Sequence, residues 1–493
     1  MPTFSRVPPI GKVPRVRRAW VGLIGVGLLI ATVVAAPAAL GAPILTVDTF
    51  EDTFDGSCTD GDCSLRDAIV AVDDGGMVRV PPGFYPLSLA GSGGAEAGDL
   101  DLVRPVTIVG TGETGSFLDA SGLGDRVFDV AADAELRHLT MLGGSQVGTG
   151  GIVRATSGAI GVRRTTLFGG RADDGGAVAV GDGATVSIDR SWISASRATD
   201  RGGALFVGGT TFVSRSTISR NRATEGGSAF VDSFASISID DSTVSRNVAV
   251  RGGGVRAIGD VDFFSSTIAG NRADVGGATL LATSSGSSAS NSVFDGNQAS
   301  VQGSLCVRRL FTHGHNVADA RGCGLTAPSD ITGVDPRIGP LRQNGGPTPT
   351  HALTTGSLAV GHGAGCNSKD QRGAPRVDCD SGAYELVRCL GHAVTIVGTP
   401  GHDDLSGGLG RDVFLGFAGD DVFQGSLNID RACAGNGNDR LIGGPGDDRL
   451  AGNRGRDVLL GEGGNDILIG GRAADVCRGG DGRDVSRRCE TVS

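Results

Sequence analysis

An aspartate recurs at every ninth residue from Asp403 to Asp484, and no other feature of the chain restricts its fold so tightly. The series is Asp403, Asp412, Asp421, Asp430, Asp439, Asp448, Asp457, Asp466, Asp475 and Asp484. Residues 398–487 hold fourteen aspartates, and ten of them share this one phase. Gly opens nine of the ten rows, Ala434 being the exception, and Gly holds the fourth place in eight, with Asn428 and Ala473 standing in. Two places after the Asp comes an inward-type residue in nearly every row: Leu405, Phe414, Phe423, Ala432, Leu441, Leu450, Leu459, Leu468, Cys477 and finally Ser486. This is a structural repeat.

Each row reads as a short strand with one buried apolar side chain, followed by a turn whose glycines permit positive φ and gather backbone carbonyls, to which the Asp adds a carboxylate. Ca²⁺ takes six to eight hard oxygens at about 2.3–2.6 Å, more than one such turn supplies. The pattern resembles the G-G-x-G-x-D-x-U-x repeat of RTX calcium-binding proteins, and Gly407-Gly408-Leu409-Gly410-Arg411-Asp412-Val413-Phe414-Leu415 matches it at every position.

That resemblance implies a parallel β-roll in which two rows form one coil, so that same-side turns lie eighteen residues apart and sandwich calcium ions. One edge would carry Asp403, Asp421, Asp439, Asp457 and Asp475, the other Asp412, Asp430, Asp448, Asp466 and Asp484. Carried over residue by residue, the metal ligands are Asp403, Asp412, Asp421, Asp439, Asp448, Asp457, Asp466 and Asp484, with the turn glycines Gly401, Gly410, Gly419, Gly437, Gly446, Gly455 and Gly464. Asp430 and Asp475 are left out, because Ser426-Leu427-Asn428-Ile429 and Arg472-Ala473-Ala474 interrupt their turns. Fifteen acidic residues against ten arginines leave the stretch at −5, so repulsion should unfold it without calcium. The competing reading is a glycine-rich linker or a metal-free solenoid.

The rest of the chain is also thin-walled in composition. Gly makes up 85 of 493 residues and aromatics only 4%, too little bulk for a large globular core, so stacked coils fit better. A net charge of −10 gives no sign of a nucleic-acid partner. Basic residues Arg6, Lys12, Arg15, Arg17 and Arg18 precede an apolar run from Trp20 to about Leu40, so residues 1–42 read as a bacterial secretion signal, or alternatively an uncleaved membrane anchor. Export makes ten cysteines intelligible as five disulfides. Neighbour pairing would join Cys58 with Cys63, Cys306 with Cys323, Cys366 with Cys379, Cys389 with Cys433 and Cys477 with Cys489, although sequence alone leaves the connectivity open.

Behind the signal, Asp52, Asp55, Asp60 and Asp62 lie in a loop closed by Cys58 and Cys63, either a solvated loop or a cation site. Ser64 followed by Asp67 is a helix N-cap signature, and Leu65, Ala68 and Ile69 supply one apolar face. Cys63-Ser64-Leu65-Arg66-Asp67-Ala68 resembles the C-S-L-R-E-A motif that heads many secreted bacterial β-helix proteins, with Asp67 in place of Glu.

From about Val103, short strand-like runs alternate with Gly, Ser and Asp turns. Gly pairs start at 150, 175, 202, 226, 252 and 276, and Gln302-Gly303 continues the series, a spacing of 24 to 27 residues. An apolar series runs in step, Leu167, Ile193, Ile218, Val244, Ile268 and Phe294, with Asn221, Asn247, Asn271 and Asn297 three residues after its last four members. Such a period suits one coil of a right-handed parallel β-helix, with an inward apolar ladder and a stacked amide ladder at one turn. Phe294-Asp295-Gly296-Asn297, Gly175-Gly176-Ala177-Val178 and Gly202-Gly203-Ala204-Leu205 resemble the F-x-x-N and G-G-A-[ILV] repeats of chlamydial polymorphic outer-membrane proteins. Residues 335–385, with Asn344-Gly345-Gly346-Pro347-Thr348, Asp370-Gln371-Arg372-Gly373 and Asp380-Ser381-Gly382-Ala383-Tyr384-Glu385, resemble the closing region of the same secreted proteins, which implies irregular last coils.

The expected fold is therefore all-β, with a signal over 1–42, a cap over 43–100, a β-helix over 101–386 and a calcium-binding roll over 387–493. The expected function is calcium binding by an exported, extracellular or cell-surface protein of adhesive or structural kind, with an extracellular glycan or surface protein as partner. A polysaccharide lyase or glycoside hydrolase on the β-helix is the alternative, for which Asp173, Asp174, Asp200, Arg201, Glu225 and Asp274 are candidates. Those residues recur at equivalent turns, as solvated stacking positions do. His313-Gly314-His315 is read as a surface loop rather than a metal site.

Overall fold

A computed structural model describes residues 44–492 apart from 60, 92–93, 112–114, 285, 302–305, 308, 322, 355 and 400, so the signal and Gln302-Gly303 lie outside the described residues. No helix among those described is long and apolar enough to cross a membrane.

Three parallel sheets of seventeen, eleven and six strands run along the first solenoid. Each coil contributes one inward apolar residue to the second sheet, and these meet in register as Leu167, Ile193, Ile218, Val244, Ile268 and Phe294. All six are buried. Stacking like on like lets every coil bury its apolar side chains between two neighbours, although a single coil has no core of its own.

Three bends turn each coil, and each uses a residue with positive φ. Gly175, Gly202, Gly226 and Gly252 take one bend; Ala195, Arg220 and Arg246 take another, ahead of Ser196, Asn221 and Asn247. The asparagines form the expected ladder: Asn221 Nδ2 donates to Asn247 Oδ1 at 3.0 Å, Asn247 Nδ2 to Asn271 Oδ1 at 3.0 Å, and Asn271 Nδ2 to Asn297 Oδ1 at 2.9 Å. Each amide also donates to a carbonyl of the coil before, as Asn247 Nδ2 does to Ile218 O at 2.9 Å. Asn247→Ala would take away the side-chain acceptor of the buried Asn221 N–H and the side-chain donor to Ile218 O, and would leave Asn221 Nδ2 with Ile193 O alone. We expect it to lower stability by about 3 kcal/mol or more in urea unfolding followed by circular dichroism.

The third bend carries a second ladder that composition had hidden among ordinary turn residues. Thr165, Ser191, Ser216 and Ser242 each donate a backbone N–H to the hydroxyl of the next member, ending at Ser266 and Ser292, at 3.0–3.2 Å.

The N-terminal end follows the capping signature. A helix over Leu65–Ala71 starts at Ser64, whose hydroxyl accepts the Asp67 N–H while Asp67 accepts the Ser64 N–H. Asp67 Oδ1 also accepts the N–H groups of Asp55 and Gly56 at 2.9 and 2.8 Å, tying the disulfide-closed loop to the helix. Asp52 is taken by the buried Arg66 at 3.0 Å. The strand Ile44–Thr46 pairs with Gly76–Arg79 and that with Val106–Val109, so one sheet runs across residue 101, where the sequence reading sets a boundary. The cap is built on the same hydrogen-bonded ladder as the coils that follow.

Residues 335–386 do not continue the stack; they run back along the second sheet as a strap. Outward hydroxyls of that sheet hold it: Thr217 donates to Pro349 O at 2.6 Å, Thr243 to Gln371 Oε1 at 2.6 Å, and Thr267 Oγ1 accepts the Ala383 N–H at 3.0 Å. Inside the strap, Arg372 and Asp370 form a fully buried ion pair at 2.7 Å, and the guanidinium lies 3.7 Å from the Tyr384 ring centroid. All five disulfides join sequence neighbours: Cys58–Cys63, Cys306–Cys323, Cys366–Cys379, Cys389–Cys433 and Cys477–Cys489.

After the hairpin of Arg388–Cys389 with His392–Ala393, two six-stranded parallel sheets make the β-roll. Their register is eighteen residues per coil, Val413 facing Arg431 and Arg431 facing Arg449. Phe414, Phe423, Ala432, Leu441, Leu450, Leu459, Leu468 and Cys477 form its dry interior.

Candidate metal centre

The nine-residue clock becomes two ladders of carboxylates, one along each edge of the roll. On one edge Asp403 N–H donates to Asp421 Oδ1, Asp421 to Asp439, Asp439 to Asp457 and Asp457 to Asp475, at 2.8–3.0 Å. On the other, Asp412 N–H donates to Asp430 Oδ1, Asp430 to Asp448, Asp448 to Asp466 and Asp466 to Asp484, at 2.7–2.9 Å. One oxygen of each carboxylate is thus spent on the backbone of the coil before.

The other oxygen is not spent. Oδ2 of Asp421, Asp430, Asp439, Asp448, Asp457, Asp466 and Asp475 is buried and has no hydrogen-bond partner among the described residues. The opening glycine of each row makes room for it: a Cβ on Gly416, Gly425, Gly443, Gly452 or Gly461 would overlap the Oδ2 of Asp421, Asp430, Asp448, Asp457 or Asp466 respectively. The fourth-place glycines do a different job. Gly419, Gly437, Gly455 and Gly464 have φ between 109° and 142°, and a Cβ on Gly437, Gly455 or Gly464 would overlap the carbonyl oxygen of Gly419, Gly437 or Gly446. Carbonyl oxygens and unpaired carboxylate oxygens therefore accumulate along both edges, coil upon coil.

Burial pushes these acids up, with smaller contributions from neighbouring carboxylates. Asp421 and Asp448 are raised to about 7, and Asp430 and Asp457 to about 6. Asp439, Asp466 and Asp475 are raised for the same first reason. A buried carboxylate without a proton donor must be neutralised by protonation or by a cation. The donor set, hard oxygens only, is of the kind that Ca²⁺ takes.

Of the carboxylates named from sequence, Asp421, Asp439, Asp448, Asp457 and Asp466 sit inside the ladders. Asp403 and Asp412 begin them and are bonded within their own turns, Thr399 Oγ1 to Asp403 Oδ1 at 3.1 Å and Gly408 N–H to Asp412 Oδ2 at 2.7 Å. Gly401 and Gly410 likewise start the edges, and Asp484 ends one. Asp430 and Asp475, left out for their irregular turns, stand in the ladders on the same terms as their neighbours. Asn428 and Ala473 adopt the positive φ, 74° and 89°, that glycine adopts elsewhere. Glu490 was not singled out: its Oε2 accepts the Asp475 N–H at 2.6 Å, ending that edge as another Asp would. It stands fifteen residues on rather than eighteen, so the period does not reveal it.

The lyase candidates on the first solenoid are engaged by neighbours. Asp174 pairs with Arg201 at 2.7 Å, Glu225 with Arg251 at 3.0 Å, and Asp173 accepts from Thr199 at 2.7 Å. His315 Nδ1 lies 2.7 Å from His362 O.

Residues 397–432, 434–459 and 451–485 match the family model of the RTX calcium-binding nonapeptide repeat, in four copies. The C-terminal coils are RTX calcium-binding repeats carried on a parallel β-solenoid. No curated protein matches the chain. Among solved structures, pectate lyase Pel9A is similar over 70% of this chain and 97% of its own, at 15% identity and a TM-score of 0.41. The PL6 family alginate lyase AlyGC is similar over 85% and 74%, at 12% identity and a TM-score of 0.25.

Proposed function

We propose that this is an exported solenoid protein whose C-terminal roll is loaded with several calcium ions outside the cell, where the protein serves an adhesive or structural role. The observation that carries the reading is the pair of stacked carboxylate ladders with seven buried, unpaired oxygens in repeats that match the RTX family model. Asp421, Asp430, Asp439, Asp448, Asp457, Asp466 and Asp475 would hold the ions through Oδ2, joined by carbonyl oxygens of the fourth-place residues and by the outer carboxylates Asp403, Asp412 and Asp484. Calcium would supply the positive charge that the ladders lack. Five disulfides and a ligand set tuned to a metal abundant outside cells agree with export, for which residues 1–42 would be the signal.

Terbium luminescence and calorimetric titration of the full chain test this. Several sites per chain are expected, and calcium should displace terbium; a chain silent in both measurements would remove the proposal. The number of sites should fall when Asp448 and Asp466 are both changed to Asn.

A further inference from the structure

The bend between the first and second sheets is occupied, coil after coil, by a residue with positive φ that is not glycine: His138, Arg164, Arg190, Arg215, Asp241, Ser265, Asn291 and His315. The eight are stacked, since Arg164 N–H donates to Asp189 O, Arg190 to Ser214 O, Arg215 to Asp240 O and so on along the column. The column divides in two where the strap begins. Asp241 takes Arg376 at 2.8 Å and Asn367 at 2.6 Å, Asn291 bonds Ala364 through both amide atoms at 2.8 and 2.9 Å, and His315 meets His362 O. These later corners are thus covered by the chain itself. Thr348 Oγ1, donating to Arg215 O at 3.4 Å, marks the strap's edge.

The four corners beyond that edge are all cationic or imidazole, in a chain whose net charge is −10. Arg137 and Arg163 flank them, so five arginines gather around two carboxylates. Glu135 is shared by Arg137 and Arg163 at 3.1 and 2.8 Å, and Asp189 is held by Arg215 at 2.7 Å. Arg164 and Arg190 make no ion pair among the described residues. Burial and then the neighbouring Arg215 hold the Arg190 guanidinium below its ordinary value, and burial followed by Arg164 and Arg137 does the same to His138. The positive charge is concentrated beyond what local acids offset. Asparagine adopts this backbone conformation more readily than arginine, so three stacked arginines are not what the bend itself asks for.

Two aromatic residues follow the cations onto the second sheet, Phe168 four residues after Arg164 and Trp192 two after Arg190. Phe168 and Trp192 lie on the outward side of the second sheet in adjacent coils, Phe168 exposed and Trp192 half-exposed with its indole N–H on Ser219 Oγ at 3.0 Å. Charges one coil apart, about 4.8 Å, beside flat apolar rings match a linear polymer of anionic sugars. Each sugar brings one acid group and one apolar face.

We propose that His138, Arg164, Arg190 and Arg215, with Trp192 and Phe168, bind a linear anionic polysaccharide along the open part of the column whose remainder the strap covers. The site is independent of the calcium-binding roll, and neither reading depends on the other.

The test is binding of oligogalacturonate, a sulfated oligosaccharide and neutral dextran to the full chain at one fixed calcium concentration, by calorimetry. At least one of the two anionic glycans should bind, more weakly as salt is raised, and dextran should not. Which of the two binds distinguishes carboxylate from sulfate as the recognised group. Arg164→Asn with Arg190→Asn should weaken binding at least tenfold while keeping or raising the melting temperature, because Asn tolerates the bend. Arg272→Asn, on the exposed face of the third sheet, should leave binding unchanged. The proposal is overturned if neither anionic glycan binds, if dextran binds equally, if the double variant binds as well as the parent, or if single-stranded DNA binds more tightly through the same arginines.

Discussion

Chelating calcium from the full chain at about pH 8 should abolish the circular dichroism of the parallel roll, and acidifying the chelated protein to about pH 5 should restore part of it. The direction follows from the ladders. Asp421 and Asp448, at about 7, and Asp430 and Asp457, at about 6, are all raised by burial above the value of an unfolded Asp. A raised acid means that the metal-free fold holds protons the unfolded chain has given up. Its stability is greatest below the unfolded value and declines as pH climbs through the folded ones. The calcium form runs the other way, since its ligands must be deprotonated before they bind. Calcium addition at about pH 6 should therefore release protons, measurable as a buffer-dependent heat. Cys389–Cys433 and Cys477–Cys489 anchor both ends of the roll, so the chelated segment stays tethered and should refold when calcium returns. A chelated roll as stable at pH 8 as the calcium form would show that the unpaired oxygens need no cation.

The roll was legible because its information is local and periodic. Every coil repeats the same demands at the same spacing: Gly where a carboxylate oxygen or carbonyl fills the place of a Cβ, Asp where a backbone N–H of the preceding coil needs an acceptor, and Leu or Phe where the interior closes. The inward and asparagine ladders of the first solenoid were readable for the same reason. Neighbour pairing of the cysteines also matched, although sequence had left it open. The strap was not legible. Gln371 reaches Thr217 and Thr243, and Arg376 reaches Asp241, contacts separated by 128 to 154 residues that follow no period. Nor was the serine ladder, because Ser and Thr in a turn look the same whether they face water or a neighbouring coil. The omission of Asp430 and Asp475 has a similar cause: their turns depart from the motif in side chain but keep its backbone, since Asn428 and Ala473 accept positive φ.

The largest single-residue effect on the first solenoid is expected at Arg376, which joins the strap to the coils. Its guanidinium is buried and gives Nη2 to Asp241 Oδ1 at 2.8 Å and to Gly382 O at 2.7 Å, while Nη1 lies 3.0 Å from Asp380 O and 3.5 Å from Glu385 Oε2. Asp241 is itself buried at a bend with a φ of 43°, and burial already raises its pKa despite the arginine. Arg376→Met would leave Asp241 and Glu385 buried without their cation. Breaking a buried pair from one side costs about 3–5 kcal/mol. Because the strap contributes Pro349, Gln371 and Ala383 to the flank as well, the loss should appear as release of the strap: faster limited proteolysis within residues 335–386 and an earlier unfolding transition. Asp241→Asn alone leaves Arg376 its contacts to Gly382, Asp380 and Glu385, so it should cost less. The double variant should be more stable than the sum of the two single losses predicts, because the amide no longer needs a cation. If Arg376→Met left both the proteolysis rate and the unfolding midpoint unchanged, the strap would be held by its hydroxyl contacts alone and the buried charges would be incidental to it.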